Sequence, residues 1–352
     1  MPPVLESLTK KLLTSGNLEK EEVIQAVNHL ISEEISAESK ATFLKALAAK
    51  GETIEEISEF ADQLRKKAVS VPLDENTRKR ELLDVCGTGG DHQNTFNIST
   101  TVSLVCASAG VTVCKHGNRA ITSKSGSYDV LKALGIATEL SPEIAATWLR
   151  DHYFAFLFAP AYHPTFKHIA PARKICAAEG KRTLFNFLGP LLNPARPTAQ
   201  LIGVPDPKLC ERISEVLQTI GIRRGMVVCG RIDDACMDEL STLGENTIAE
   251  FTMGRALCVS LFNPKNLPVQ VAASTDLQGG DSSENAAIIK AILSGKDRGP
   301  KRDAILLNSG AALYIADAAS SITQGWEQAA DLIDSGKATE KLNELIEASN
   351  SL

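Results

Sequence analysis

No stretch of this 352-residue chain approaches the roughly 18 uninterrupted apolar residues of a membrane span. The opening Met1-Pro2-Pro3-Val4-Leu5-Glu6 lacks the basic and then apolar regions of a secretory leader. A basic excess is missing too, since 37 Lys and Arg stand against 43 Asp and Glu, a net charge of −6. That balance argues against a nucleic-acid partner, which calls for a positive field. Any bound phosphate must then be held locally, by backbone amides or a few placed cations. The eight cysteines include no Cys-x-x-Cys pair. A zinc knot or thioredoxin-type motif is not expected, and the thiols read as small buried hydrophobes. The expectation is a cytoplasmic protein with no membrane and no nucleic-acid partner.

Several catalytic signatures are also absent. There is no Gly-x4-Gly-Lys-Ser/Thr loop, which disfavours a P-loop nucleotidase. No Gly-x-Ser-x-Gly elbow occurs, and no single Ser or Cys stands out as a nucleophile. His92, His116, His163 and His168 show no metal-ligand spacing on a helix. The chain has neither an internal repeat nor a low-complexity tract. These absences leave a reaction driven by binding and charge stabilisation, without a covalent intermediate.

What is present is an ordinary globular composition, 43% apolar and 23% charged. The length is above that at which one core usually divides. The first seventy residues read as successive helices. Val23, Ala26, Val27, Leu30 and Ile31 share one face. Leu44, Leu47 and Ala48 lead to a stop at Gly51, and Thr53 with Glu56 forms a capping box. This apolar stripe would pack on the rest of the chain or on a second copy. Asp74 to Arg80 reads as a linker after Pro72.

From Leu82 the texture changes to short apolar runs separated by helical patterns. The runs are Leu82–Cys86, Val111–Cys114, Tyr153–Phe158, Gln200–Val204 and Met226–Cys229. Helices are expected at Thr100–Ala109, Pro207–Ile220, Asn285–Leu293, Arg302–Ala316 and Gln324–Ile333. The alternation predicts an α/β fold with a mostly parallel central sheet, beside a small all-helical domain. The expected division is a helical domain of residues 1–72, joined in space by 164–197. An α/β domain follows, of residues 80–163 and 198–352.

The first strand runs into Gly87-Thr88-Gly89-Gly90-Asp91, a turn whose free amides suit a phosphate. It is not the dinucleotide fingerprint, because His92 stands where the third glycine should fall. Asn97-Ile98-Ser99-Thr100 precedes a helix, where short polar side chains cap and anions bind. The next strand leads into Lys115-His116-Gly117-Asn118-Arg119 and then Thr122 to Ser127, with cations, glycines and hydroxyls together. Such clusters at strand C-termini are where open α/β sheets bind ligands. Asp233-Asp234 and Asp238-Glu239 are carboxylates of the kind that ligate Mg²⁺ beside phosphates.

In this order and spacing, these motifs closely resemble the anthranilate phosphoribosyltransferase family. So do Phe158-Ala159-Pro160, His163-Pro164, Ala170-Pro171-Ala172-Arg173-Lys174, Phe185 to Leu191 and Asn193-Pro194. The resemblance implies transfer of the phosphoribosyl group of phosphoribosyl pyrophosphate to the amine of anthranilate, in tryptophan biosynthesis. It implies a Mg²⁺-dependent pentosyltransferase that dimerises through the helical domain.

By the same resemblance, phosphoribosyl pyrophosphate falls to Gly87, Gly90, Asp91, Thr95, Asn97, Ile98, Ser99 and Thr100. Lys115, His116, Gly117, Asn118, Arg119, Ala120, Ile121, Thr122, Ser123 and Ser127 complete that set. Gly87, Asn118 and Arg173 would contact anthranilate, and Ser99, Asp238 and Glu239 would serve Mg²⁺. Two departures stand out: Tyr128, where the family has a small residue, and a longer spacer between Gly230 and Asp238. The spacer leaves open a share in the metal role for Asp233 or Asp234. His116 is the one candidate general base. The alternatives are a pyrimidine nucleoside phosphorylase, which shares the fold but needs no Mg²⁺, and a non-catalytic relative.

Overall fold

The computed structural model describes residues 3–120 and 124–352. Its first four helices are α1 (Pro3–Leu13), α2 (Lys20–Ile31), α3 (Ala37–Lys50) and α4 (Ile54–Lys66). Gly51 ends α3 at φ 86, and the Thr53–Glu56 capping box starts α4. Residues 74–80, expected as a linker, instead form a short helix, α5 (Glu75–Lys79). The Asp74 carboxylate caps it by accepting from the Asn76 and Thr77 amides. An aspartate before a single helical turn satisfies the free amides that a linker would leave to water.

The α2 stripe is consumed inside the chain. Val23, Ala26, Val27 and Leu30 are at most 1% exposed and share a core with Leu44, Ile57 and Phe60. Leu30 therefore belongs to the bundle interior and offers nothing to a second copy. Ile169, Ala172, Cys176, Phe185 and Leu188 enter the same core.

The remaining elements alternate around a sheet. In order they are β1 (Leu82–Gly87), α6 (Ile98–Ser108), β2 (Thr112–Gly117), α7 (Ser127–Leu134), α8 (Pro142–Asp151), β3 (Phe154–Phe158), α9 (Ala159–Tyr162) and α10 (Ala170–Ala178). Then come β4 (Ala199–Gly203), α11 (Lys208–Thr219), β5 (Arg224–Ile232), β6 (Ala235–Met237), β7 (Asn246–Thr252) and β8 (Cys258–Phe262). Four helices close the chain: α12 (Ser282–Leu293), α13 (Pro300–Ile315), α14 (Ile322–Asp334) and α15 (Lys337–Asn350).

The strand order is β3-β2-β1-β4-β5-β7-β8, with β6 paired to β5. The five strands β1 to β5 run parallel, while β6, β7 and β8 add antiparallel pairs. This is the mostly parallel sheet expected. The antiparallel extension was not, because β8 is an edge strand with exposed side chains, and its pattern carries no buried stripe. β2 also runs three residues further than its apolar run, so Lys115, His116 and Gly117 lie on the strand itself. Among the described residues no helix is long and apolar enough to cross a membrane.

Candidate active site

Two adjoining cavities open at the C-terminal ends of the parallel strands. The larger, about 370 Å³, is lined by Gly87, Ser99, Lys115, His116, Gly117, Asn118, Arg119, Ala120, Ser127, Arg173, Phe185 and Asn186, among others. The smaller, about 180 Å³, takes in Gly90, Asp91, Thr95, Asn97, Ile98, Asp238 and Glu239. Thr100 lines the larger cavity from the first turn of α6. Ile121, Thr122 and Ser123 lie outside the described residues.

The β1 turn is built for close approach. Gly89 and Gly90 have φ of 73° and 98°, a region that costs glycine nothing. A Cβ on Gly87 would stand 2.5 Å from Asp238 Oδ2. The Gly89 amide donates to that oxygen at 2.6 Å. One amide of the glycine-rich turn is thus engaged by a carboxylate.

Asp91 joins that carboxylate cluster. Ligand oxygens of Asp91, Asp238 and Glu239 lie within 4.8 Å of one another, and Asp91 Oδ2 accepts from the Asp238 amide at 3.3 Å. Burial first, then the Asp91 charge, pushes the Asp238 carboxyl up to about 7. Burial followed by Asp238 and Asp91 lifts Glu239 well above the ordinary range. Glu239 Oε2 is buried without a hydrogen-bond partner among the described residues. Three crowded oxygen donors with one orphaned atom fit a hard divalent cation. Asp233 and Asp234 do not join them. They form the exposed tip of the β5–β6 hairpin, with Asp233 at φ 51, and the alternative metal role is corrected on that ground.

Lys115 is the buried cation of the cleft. Its Nζ donates to the Val85 carbonyl at 2.7 Å and to Ser99 Oγ at 3.3 Å. Burial lowers its pKa, and it makes no salt bridge among the described residues. A buried ammonium held only by neutral oxygens is a natural anion partner.

His116 is a weak base here. Burial first, with His163 beside it, drives its pKa down to about 3, and its Nε2 has no partner among the described residues. The two imidazole centroids are 5.3 Å apart. The His116 backbone amide donates to Asp84 Oδ1 at 3.2 Å, and Asn193 Nδ2 donates to Asp84 Oδ2 at 2.8 Å. Asp84 and Asn193 thereby tie the strand ends to the 184–195 segment. Asn193 was legible only as part of the Asn193-Pro194 motif, and its partner Asp84 carried no signal, because the contact joins positions far apart in the chain.

At the other end of the larger cavity, Arg173 projects from α10. Its guanidinium carbon is 5.6 Å from the Phe185 ring centroid, and burial lowers its pKa. It makes no salt bridge among the described residues. Phe185 and Asn186 line the same wall, and the Phe185-Asn186-Phe187 motif was their only signal.

Comparison with known proteins bears on this arrangement. The family model "Glycosyl transferase family, a/b domain" matches residues 79–339, and "Glycosyl transferase family, helical bundle domain" matches residues 6–68. An anthranilate phosphoribosyltransferase of Petrotoga mobilis is 42% identical over 343 residues, 97% of this chain and 96% of that protein. The crystal structure of anthranilate phosphoribosyltransferase from Thermus thermophilus superposes with a TM-score of 0.88 at 37% identity, covering 97% of this chain and 99% of that one. The Saccharomyces cerevisiae enzyme in complex with PRPP and Mg gives a TM-score of 0.87 at 28% identity, covering 100% and 99%.

Proposed function

The chain belongs to the anthranilate phosphoribosyltransferase family, and on that premise we propose how its own residues carry out the family reaction. It is a Mg²⁺-dependent glycosyltransferase of tryptophan biosynthesis. It moves the phosphoribosyl group of phosphoribosyl pyrophosphate onto the amine of anthranilate and releases pyrophosphate. The observation that carries the reading is one cleft with three crowded carboxylates, a buried Lys115 and an Arg173, the two cations making no salt bridge among the described residues.

Anthranilate's amine attacks the anomeric carbon as the bond to pyrophosphate breaks, and that electron pair leaves with the pyrophosphate. Lys115, the β1 turn and the N-terminus of α6 hold the phosphoribosyl donor. Arg173 with Asn118 grips the anthranilate carboxylate, and the Phe185 ring flanks the aromatic acceptor. Asp91, Asp238 and Glu239, helped by Ser99, would hold Mg²⁺, which when bound neutralises the charge of the leaving pyrophosphate. The neutral His116 Nε2 accepts a hydrogen bond from the amine. With a pKa of about 3 it orients the nucleophile without storing its proton at neutral pH, and the proton the amine loses departs with the pyrophosphate. Catalysis then rests on orientation and electrostatics.

The test is loss of anthranilate fluorescence on adding phosphoribosyl pyrophosphate and Mg²⁺, with thymidine and uridine phosphorolysis as control. No loss of fluorescence, with nucleoside cleaved instead, overturns the reading. The protein is further proposed to act in the cytoplasm as a homodimer. Eight free thiols suit a reducing compartment. The exposed Leu13 on α1 borders an apolar hollow over α3, a surface suited to a second copy. Sedimentation showing only monomer at micromolar concentration would remove the dimer.

A further inference from the structure

We propose that Tyr128 and Glu139 are positioning residues. They hold the Arg119 guanidinium on the rim of the phosphoribosyl pyrophosphate cleft and thereby set the affinity for that substrate, an inference that rests on the functional reading above. Tyr128 is the second residue of α7 and is 5% exposed. Its ring lies against Phe158, centroids 4.6 Å apart, and more loosely against Phe156 at 6.5 Å. The hydroxyl edge faces outward and donates to Glu139 Oε1 at 2.5 Å.

Arg119 meets both groups. Its Nη2 donates to Tyr128 Oη at 3.1 Å and to Glu139 Oε1 at 3.3 Å. Its guanidinium carbon sits 4.4 Å from the Tyr128 ring centroid and 5.2 Å from that of Phe158. Arg119 also lines the 370 Å³ cavity, and on its other flank a second hollow that includes Tyr128. It therefore stands between the cradle and the cleft.

The backbone beneath is clasped as well. The Asp129 carboxylate accepts from the Ala120 and Gly126 amides at 2.9 and 3.0 Å, and the Asn118 carbonyl accepts from the Tyr128 amide at 3.3 Å.

The Arg119 side chain is 56% exposed, so an isolated ion pair with Glu139 would restrain it little. A ring face, a hydroxyl and a carboxylate acting together limit its rotamers before substrate arrives. A guanidinium held in place loses less freedom on meeting a phosphate than one swinging free in water, and the difference is affinity. The groups that surround Arg119 from the other elements are aromatic or acidic, and Lys132 lines the hollow beyond Tyr128.

The experiment measures steady-state kinetics with Mg²⁺ for Tyr128→Phe, Glu139→Ala and Arg119→Ala, and for each of the first two combined with Arg119→Ala. Folding is checked by thermal melting, and phosphoribosyl pyrophosphate binding by calorimetry. Tyr128→Phe and Glu139→Ala should each raise the KM for phosphoribosyl pyrophosphate about two- to tenfold, the cost of one freed side chain. The KM for anthranilate and kcat should not move. In the Arg119→Ala background neither substitution should add a further rise.

An unchanged KM for phosphoribosyl pyrophosphate overturns the proposal. So do equal rises for both substrates, or effects that persist without Arg119. Should Tyr128→Phe fail to fold, the surface variant Glu139→Ala decides alone. An inactive wild-type protein would break the functional reading instead, while calorimetry would still report on the cradle.

Discussion

Arg173, half-buried beside the Phe185 ring, carries a charge that meets no carboxylate among the described residues. A guanidinium so placed can grip a small aromatic acid with two parallel charge-assisted bonds. Arg173→Ala should raise the KM for anthranilate about ten- to a hundredfold, since a hydrogen bond to a charged group contributes about 1.5–3 kcal/mol. Lysine should restore this only in part, because it lacks the planar fork. The KM for phosphoribosyl pyrophosphate should hold. Equal changes in both would mean that Arg173 shapes the whole cleft. Arg173 was legible because it sits in a motif, whereas Asp84, which braces the same cleft through Asn193, is an ordinary letter until the fold brings the two together.

Between elements, the decisive contact is that of the β4 end with the segment after β6. A Cβ on Gly203 would stand 1.4 Å from the Asp238 carbonyl oxygen, a backbone atom that cannot swing aside. Gly203→Ala should therefore shift Asp238 and Glu239 together. The expected cost is about 1–3 kcal/mol in denaturant unfolding, as for other overpacked sites, with a higher Mg²⁺ requirement for activity. Wild-type stability and Mg²⁺ dependence in this variant would refute the close packing.

Helices such as α2 and α11 were legible from their 3.6-residue stripes, and β1 to β5 from short apolar runs. The strands β6, β7 and β8 were not. A three-residue strand and an exposed edge bury too little on one face to leave a pattern, and β7 interrupts its apolar residues with Asn246, Thr247, Glu250 and Thr252. The α5 turn was hidden for a similar reason, since a capped single turn has no period to read.

For the whole molecule, the crowded carboxylates make stability depend on pH and on metal. The folded-state pKa of Asp238, about 7, lies above its usual 3.8. Between these values the folded chain keeps a proton that the unfolded chain has released. Its stabilising contribution is full at low pH and is lost as pH rises through about 7. Asp84, raised by burial to about 6, has the same sign. His116 and His163, lowered by burial to about 3 and about 4, oppose it only below about 6.5, where the unfolded chain takes up protons. Above that pH these two histidines no longer oppose the carboxylates. Mg²⁺ should therefore raise the melting temperature more at pH 8 than at pH 6, and Asp238→Asn should flatten the difference. Equal Mg²⁺ effects at both pH values would contradict the cluster's role.

The sequence by itself determined the fold class and the family. It also determined which loops and cations line the cavities at the strand ends, because each of these is a local pattern or a fixed order of motifs along the chain. Which acidic residues meet was decided only by the tertiary structure. Asp91 and Asp238 are 147 positions apart. They come together because Gly87 and Gly203 let the segment after β6 settle across the ends of β1 and β4, while the β5–β6 hairpin turns Asp233 and Asp234 out into water. Spacing along the chain measures none of this, since a carboxylate's electrostatic neighbours are set by distance in space.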